Sequence, residues 1–486
     1  SPRTATAVGM LTAVVLANGN DGDNLYPLTE DMPLAALPVG NRPLLSYQLE
    51  MLQRAGSFGE VLVVTNDRHL SRLEAVVSEY RGPLRIELVV VEEGAGSADA
   101  LRTLRGRGRL AGDFALISGD TISDVPFQKI AAMHQLHGAS VTVLLKQQPP
   151  RPAADKKKAR DLDGTDFVGI DESRQRLLYL ESAADCDGGV ITVSESMLRA
   201  HPHLEVHSDL ADPHVYLFAH WVLEVLDHKP HFSSAKFELL PYLVRKQFLD
   251  QANLPLPQAE AQPQQATAMS SAAATAARLA GAVRCCCYVV PHDGHYCMRA
   301  CSIAAYMQAN LDICKGGAAT FDKAAEPTEP LREGNFAASN IDQQSARGGS
   351  VELGPRSQVK KSAVGPHCRL GAGVRLTNCV LMEGVVVHDK VHMSNCILCR
   401  GAEASPHPPS LPAGTHPACR CSVRSRARRR RGRTGALWGQ VHEGATLKDV
   451  QVGSNVSVEA GANVKSEALT AEVDAEGSVV GSAEED

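Results

Sequence analysis

Short apolar runs alternate with amphipathic segments over residues 11–250. The apolar runs are nearly continuous in Val, Leu and Ile, which is typical of strands buried on both faces. The strands predicted in this way are Leu11–Ala17, Val61–Asn66, Ile86–Val91, Phe114–Ser118 and Ser140–Lys146. Helical periodicity predicts helices between them, at Pro43–Ala55, Leu70–Arg81, Gly96–Arg105 and Pro126–His137. This alternation predicts an α/β domain over 11–250 with a Rossmann-like, mostly parallel sheet, whose ligands would bind beyond the carboxyl ends of the strands.

A period of six residues begins near Val351. Two series have this spacing: Val364, Leu370, Leu376 and Met382, and Cys368, Val374, Val380 and Val386. The same phase returns at Val452, Val458 and Val464. A helix cannot use such a period, whereas each hexad forms one flat face of a coil in a left-handed parallel β-helix. We therefore expect a left-handed β-helix of hexapeptide repeats over 351–470.

Composition sets the other boundaries. Residues 251–283 are rich in Ala, Gln and Pro and are expected to form a linker. Residues 284–315 regain an ordered pattern and predict a small adaptor block, and 316–350 read as a loop or linker. An acidic tail covers 471–486.

An insert at about 403–439 interrupts the hexads. It holds five prolines and eight arginines against one glutamate, with almost no aliphatic periodicity. We expect a disordered excursion, or a gene-model artefact such as a translated intron. The alternative is a nucleic-acid-binding or nuclear-import patch at Arg426–Arg433.

Overall composition narrows the class of protein. Aromatic residues are only 4% of the chain and hydrophobic residues 44%, so aliphatic side chains must fill the cores. The net charge of −6 disfavours a global nucleic-acid-binding surface. No apolar stretch approaches the roughly 18 residues of a membrane span, and we expect neither a signal peptide nor an anchor.

The 13 cysteines lack paired spacing, which indicates reduced thiols in the cytosol. Cys396, Cys399, Cys419 and Cys421 could share a zinc ion, although the second pair lacks the usual CxxC spacing. For Cys285–Cys287 we expect packing in a core, because adjacent strand residues cannot all face one site.

The segment after the first strand carries the most informative motif. Over Leu16–Leu45 it reads LANGNDGDNLYPLTEDMPLAALPVGNRPLL and resembles the signature of sugar-nucleotide pyrophosphorylases, LAGGxGTRLxPLTxxxPKPLxPVxxxP. In that signature glycines let backbone N–H groups approach phosphates, while an Arg and a Lys neutralise the departing pyrophosphate. The resemblance implies a vestigial nucleotide pocket at Gly19 and Gly22, with Asp120 where a magnesium-binding Asp is expected. A turn or cap role is the alternative for Asp120.

Departures from the signature predict that the reaction has been lost. Asn18 replaces a glycine, and Asp23 and Asn24 stand where the Arg is expected. Leu34 stands where the signature has Lys, and Asp21 adds negative charge. Each missing cation typically contributes about 100-fold or more in rate. We expect a degenerate domain without catalytic residues, a bound metal or a cofactor.

Further segments are similar to the gamma subunits of eukaryotic translation initiation factor 2B. The segments that carry the similarity are FVGIDESRQRLLYLESAADCDGG, FELLPYLVRKQF at Phe237–Phe248 and VRCCCYVVPHDGHYCMRACSIAAYMQANLDI. That family joins a pyrophosphorylase-like domain to a left-handed β-helix. In pyrophosphorylases the segment near Asp212 would read NAGIYxF, whereas DPHVYLF here places His214 over the glycine, which blocks another backbone approach to substrate.

The resemblance implies a non-catalytic structural and regulatory subunit of a guanine-nucleotide exchange complex. Its expected partners are the epsilon subunit, the other subunits of that complex and translation initiation factor 2, on which GDP/GTP exchange would be promoted. We expect a cytosolic protein with no membrane and no direct nucleic-acid contact. The alternatives are a sugar-1-phosphate guanylyl- or adenylyltransferase, and a nucleic-acid-binding protein that uses Arg426–Arg433.

Overall fold

The computed structural model describes 15 stretches of the chain. They are 11–17, 24–29, 32–149, 165–186, 190–248, 283–315, 340–342, 345–400, 440–441, 445–452, 457–458, 463–466, 468–469, 472–473 and 479–480. The described residues form two compact units. The first comprises those within 1–22, 34–36 and 45–299, and the second those within 23–33, 37–44 and 300–486.

The first unit is an α/β sandwich around one large sheet. Its strands are β1 Leu11–Leu16, β4 Phe58–Thr65, β5 Arg85–Val90, β6 Phe114–Ser118, β7 Thr121–Ser123, β8 Val141–Gln147, β9 Asp166–Ile170, β10 Leu177–Ser182, β11 Glu205–His207, β12 Leu210–Ala211, β13 Val215–Phe218, β14 Cys285–Val290 and β15 Cys297–Arg299, while β2 Pro38–Val39 and β3 Arg42–Pro43 belong to the second unit. Its helices are α1 Leu44–Ala55, α2 Leu70–Glu79, α3 Ser97–Gly106, α4 Phe127–His137, α5 Glu195–Ala200, α6 Val222–His228 and α7 Leu240–Lys246. Helical turns of other types cover Leu34–Ala36, Asp67–His69, Ala183–Asp185 and Ala235–Leu239.

The large sheet is mostly parallel, as the sequence predicts. Its central order is β8-β13-β6-β1-β4-β5, and β12 and β14 also pair with β8. β1 pairs in parallel with β4 and β6, whereas β13 runs antiparallel to β6 and β8. The five predicted strands and four predicted helices are all present, and their ends differ from the predictions by a few residues. The predicted fold class of this unit is therefore confirmed.

Both faces of the sheet are buried, which explains the continuous apolar runs. Val14 and Leu62 face one core, and their neighbours Val15 and Val63 face the other. A strand that is covered on both faces has no polar side and so loses the alternation of a half-exposed strand.

β14 belongs to this sheet, although the sequence analysis placed it in a separate adaptor block. It pairs in parallel with β8, with Cys285 opposite Val141. Cys285, Cys286 and Cys287 are completely buried, as expected for core packing, and burial raises the pKa of Cys286 to about 11. Burial of the CCCYVV run against β8 outweighs the distance along the chain that separates the two strands.

The second unit contains the β-helix. Its strands are β16 Asn340–Ile341, β17 Ala346–Arg347, β18 Glu352–Leu353, β19 Gln358–Lys360, β20 Ala363–Val364, β21 Arg369–Leu370, β22 Arg375–Thr377, β23 Val380–Leu381, β24 Val386–Val387, β25 His392–Ser394, β26 Ile397–Leu398, β27 Gln440–Val441, β28 Thr446–Lys448, β29 Gln451–Val452, β30 Ser457–Val458, β31 Asn463–Lys465 and β32 Ala468–Leu469. They form three parallel sheets, in which every third strand along the chain is a neighbour. Beyond them, β33 Glu472–Val473 and β34 Val479–Val480 pair antiparallel within the predicted acidic tail.

Each coil of the β-helix advances 17 residues, one fewer than three strict hexads. Val359 pairs with Leu376, and Leu376 with Met393. The shortfall falls at one corner, where Asn378 and Asn395 adopt φ angles of 55° and 53°. Side chains at this corner stack from coil to coil, because Asn378 Nδ2 donates to Asn395 Oδ1 at 2.7 Å and Asn395 Nδ2 to Asp449 Oδ1 at 2.8 Å.

Because of this shorter corner, one residue of the predicted six-residue series is displaced. Val364 pairs with Leu381, so Leu381 holds the equivalent position that strict six-residue spacing assigned to Met382. Both side chains are buried. The predicted series Val452, Val458 and Val464 does lie on three successive strands.

α8 Ile303–Cys314 joins the short hairpin of β2 and β3 to the first coils. The Ser302 side chain caps this helix by accepting from the Ala305 N–H. Asn310 Oδ1 accepts from the Gly40 N–H at 3.0 Å, and Asn41 Nδ2 donates to the Val364 carbonyl at 3.0 Å.

Candidate functional site

The candidate site lies where β1 and β6 end side by side. The Gly119 N–H donates to the Leu16 carbonyl at 2.9 Å, and the Ala35 N–H donates to the Ala17 carbonyl at 3.1 Å. A Cβ on Gly119 would approach the Leu16 oxygen to 2.4 Å, so the close approach of the two strand ends requires glycine. This packing places Asp120 at the edge where ligands of parallel sheets usually bind.

Asp120 is only 1% exposed and is held by an arginine from a remote strand. Arg299 Nε donates to both carboxylate oxygens at 3.1 Å, and Arg299 Nη2 lies 2.9 Å from Asp120 Oδ2. β15 delivers the arginine, because it pairs antiparallel with β7 and sets Arg299 opposite Thr121. The carboxylate is therefore neutralised within the protein by a bidentate ion pair.

His214 completes the contact around the arginine. Its Nε2 lies 2.8 Å from Arg299 Nη1. A guanidinium can only donate, so this nitrogen accepts and the imidazole is neutral with its proton on Nδ1. Burial above all, and then the charges of Arg299 and Lys236, hold the pKa of His214 well below its usual range.

The backbone of His214 has the conformation expected of a glycine. Its φ is 54°, and its N–H donates to Asp212 Oδ1 at 2.7 Å while its carbonyl accepts from the Ser118 N–H at 3.0 Å. The histidine thus adopts a left-handed backbone conformation that favours glycine, the residue that the pyrophosphorylase pattern has at this position. It adds a ring that occupies space beside Arg299.

A second buried polar group lies behind His214. Asp212 accepts from the Tyr216 hydroxyl at 2.5 Å, and burial raises the pKa of this carboxyl. Lys236 lies 3.1 Å from Asp166 in an ion pair whose side chains are 15% and 5% exposed. The polar side chains behind His214 are therefore paired with other side chains of the same chain.

The signature cations are replaced by uncharged residues. Leu34 is buried in the turn Leu34–Ala36, so an apolar side chain stands where the signature has Lys. Asn24 is exposed and carries no charge. Gly19 and Gly22 lie outside the described residues, so this part of the predicted pocket stays a prediction.

Asp120 does not fit the magnesium ligand that the pyrophosphorylase resemblance implies. Both of its oxygens accept from Arg299, and the guanidinium charge would oppose a second cation at the same carboxylate. In the part of the chain that the structure describes, no group of three or more His, Cys, Asp or Glu side chains could hold a metal ion. Cys396 and Cys399 of the alternative zinc site are buried, and Cys419 and Cys421 fall outside the described residues.

Sequence reasoning did not single out Arg299. It lies 179 positions from Asp120, and neither motif spacing nor composition connects the two residues. The FELLPYLVRKQF motif also has a role that its pattern did not reveal. Gln247 donates to the Leu177 carbonyl at 2.8 Å and accepts from the Cys285 N–H at 2.9 Å, so the motif fastens β14 to the unit.

Comparison with known proteins matches both the fold and the motifs. A family model described as nucleotidyl transferase matches residues 12–155. The translation initiation factor eIF2B subunit gamma of Dictyostelium discoideum is 29% identical over 396 residues, which cover 74% of this chain and 88% of that protein. The same subunit of Schizosaccharomyces pombe is 31% identical over 233 residues, or 47% of this chain and 50% of that protein. A mannose-1-phosphate guanyltransferase of Emericella nidulans is 34% identical over 140 residues, but only 28% of this chain and 37% of that protein are covered.

The fold defines a protein with a nucleotidyltransferase-like α/β unit and a hexapeptide-repeat β-helix, and in the α/β unit Arg299 forms an ion pair with Asp120. The resemblance to the gamma subunits of translation initiation factor eIF2B that the sequence motifs indicated is confirmed. Among the described residues, no helix is both long and apolar enough to span a bilayer.

Proposed function

We propose that this chain is a non-catalytic structural and regulatory subunit of the translation initiation factor 2B complex. The observation that carries the proposal is the similarity to a gamma subunit over 74% of this chain and 88% of that subunit's length. The Asp120–Arg299 ion pair supports the non-catalytic part, because it engages the carboxylate that a metal-dependent transferase would need.

The finer proposal is that the chain pairs with the epsilon subunit and promotes GDP/GTP exchange on translation initiation factor 2. A related subunit with the same two-part architecture could pair α/β unit with α/β unit and coil with coil. Such an obligate interface would bury about 2,000 Å² or more. The proposed location is the cytosol, where the thiols of the described cysteines would stay reduced.

Co-expression with the epsilon subunit tests this proposal. We expect a stable one-to-one complex whose exchange rate on translation initiation factor 2 exceeds that of epsilon alone. The matched control is epsilon mixed with the Emericella mannose-1-phosphate guanyltransferase, which shares the transferase-like segment and should neither bind nor accelerate exchange. A soluble monomer that ignores epsilon in a pull-down, and leaves the exchange rate unchanged, would overturn the proposal.

The alternative function is that of a sugar-1-phosphate guanylyl- or adenylyltransferase. The match to the nucleotidyl transferase family model supports it. Two residues count against this alternative. Leu34 carries no charge that could stabilise a leaving pyrophosphate, and Asp120 is already paired with Arg299. The two functions differ in one readout, which is pyrophosphate release from a nucleoside triphosphate and a sugar 1-phosphate.

A further inference from the structure

The contact between Arg299 and Asp120 is built as a fixed part of the fold. The two side chains are 13% and 1% exposed, and the guanidinium touches both carboxylate oxygens. Arg299 pairs through its backbone with Thr121, the residue that follows Asp120. The hydroxyl of Thr121 donates to the Pro213 carbonyl at 2.6 Å, so the same segment also holds the turn that carries His214.

The guanidinium supplies what a bound divalent cation would supply to Asp120. It places positive charge against both oxygens and fixes the carboxylate in one orientation. Magnesium would need an oxygen at about 2.0–2.1 Å, on the side from which Arg299 now donates. Arg299 therefore already supplies the positive charge at this carboxylate and occupies the space that a metal ion would need.

We propose that Arg299 is a built-in replacement for a divalent cation at Asp120, and that the guanidinium, held in place by His214, keeps metal ions out of a latent metal site. Without the arginine, the Asp120 carboxylate and His214 Nε2 would face the same vacated space. A carboxylate is a ligand that suits Mn²⁺, and the imidazole nitrogen could add a second ligand beside it.

This inference deepens the proposed loss of catalysis and rests on it. Metal binding is therefore measured separately from pyrophosphate release, so that each can fail alone. The probe is Mn²⁺, titrated into the full chain and followed by electron paramagnetic resonance of the free ion. The variants are Arg299→Ala, Arg299→Gln, Arg299→Lys, Asp120→Asn and the double variant Arg299→Ala with Asp120→Asn.

We expect no Asp120-dependent Mn²⁺ binding in the wild-type chain or in Arg299→Lys, which keeps the positive charge. Arg299→Ala and Arg299→Gln should bind Mn²⁺ at least about tenfold more tightly than wild type, since ligand affinity rises once the competing cation is gone. The double variant should lose that gain. Arg102→Ala is the matched control, because it removes the arginine paired with Asp99 on α3 and should leave Mn²⁺ binding unchanged.

Two results would overturn the proposal. One is wild-type Mn²⁺ binding that Asp120→Asn abolishes, because the arginine would then not exclude metal. The other is a folded Arg299→Ala chain that gains no Asp120-dependent binding. If Arg299→Ala and Arg299→Gln both fail to fold, the stranded carboxylate is the expected cause, and adding Asp120→Asn should restore the melting temperature. Failure of that rescue would also refute the role of Arg299 as the charge partner of Asp120.

Discussion

Deleting residues 403–439 should leave the β-helix intact. Successive strands of one sheet lie 17 positions apart, as in Arg375 opposite His392, but His392 pairs with Thr446, 54 positions on. The excess over one coil is 37 residues, which is the length of 403–439. Without that segment four residues would join β26 to β27, as four join β20 to β21 and β23 to β24.

The size of the effect follows from the length of the connection. With the insert, 41 residues link Leu398 to Gln440. If that connection behaves as a flexible chain, as the composition of the insert predicts, closing it costs about 2 kcal/mol more than closing four residues. The deletion should therefore stabilise the chain by up to about 2 kcal/mol and raise its melting temperature by about 4–8 °C.

Calorimetry of the full chain and of two deletions of equal length tests this reasoning. The matched control removes 397–433, which would put Thr434 and Gly435 in place of Ile397 and Leu398. Both of those residues are completely buried, so the control should lose about 2–5 kcal/mol for the leucine alone. If deletion of 403–439 lowers the melting temperature as far as the control does, the segment contributes packing and the loop argument is wrong.

Three further predictions follow from the described side chains. With magnesium, nucleoside triphosphate and sugar 1-phosphates, the purified chain should release no pyrophosphate above background, and turnover of about 1 per second or faster would contradict the non-catalytic assignment. Burial lowers the pKa of His134 to about 4, so the unfolded chain gains a proton as pH falls below about 6.5 while the folded chain does not. The contribution of His134 to stability should therefore fall by about 2 kcal/mol between pH 7 and pH 5, and urea unfolding should show a correspondingly smaller loss for His134→Gln. At the β-helix corner, Asn395→Gly should lose the two side-chain hydrogen bonds to Asn378 and Asp449. Asn395→Ala should lose the same bonds and about 1 kcal/mol more, because alanine is strained at the φ of 53° that glycine adopts freely. Equal urea midpoints for the two variants would refute the strain argument.

Local patterns were sufficient to predict the order of the elements. The continuous apolar runs arise because strands such as β1 are covered on both faces, so consecutive residues must all be apolar. The six-residue period likewise predicted the β-helix, because each flat face of a coil needs one inward-facing aliphatic side chain and that need recurs along the sequence. The missing cations at Asn24 and Leu34 could also be identified from the motif alone, because the signature has fixed spacing.

Contacts between remote segments could not be predicted in this way. Strand β14 joins β8 because its buried cysteines and valines find an apolar partner there, and no local period encodes that choice. The 17-residue coil depends on a left-handed corner such as Asn378, whose side chain donates to Asn395 of the next coil. The pairing of Asp120 with Arg299 is the clearest case: a buried carboxylate requires a counter-charge, but only the folded chain determines which of its many cations comes within 3 Å.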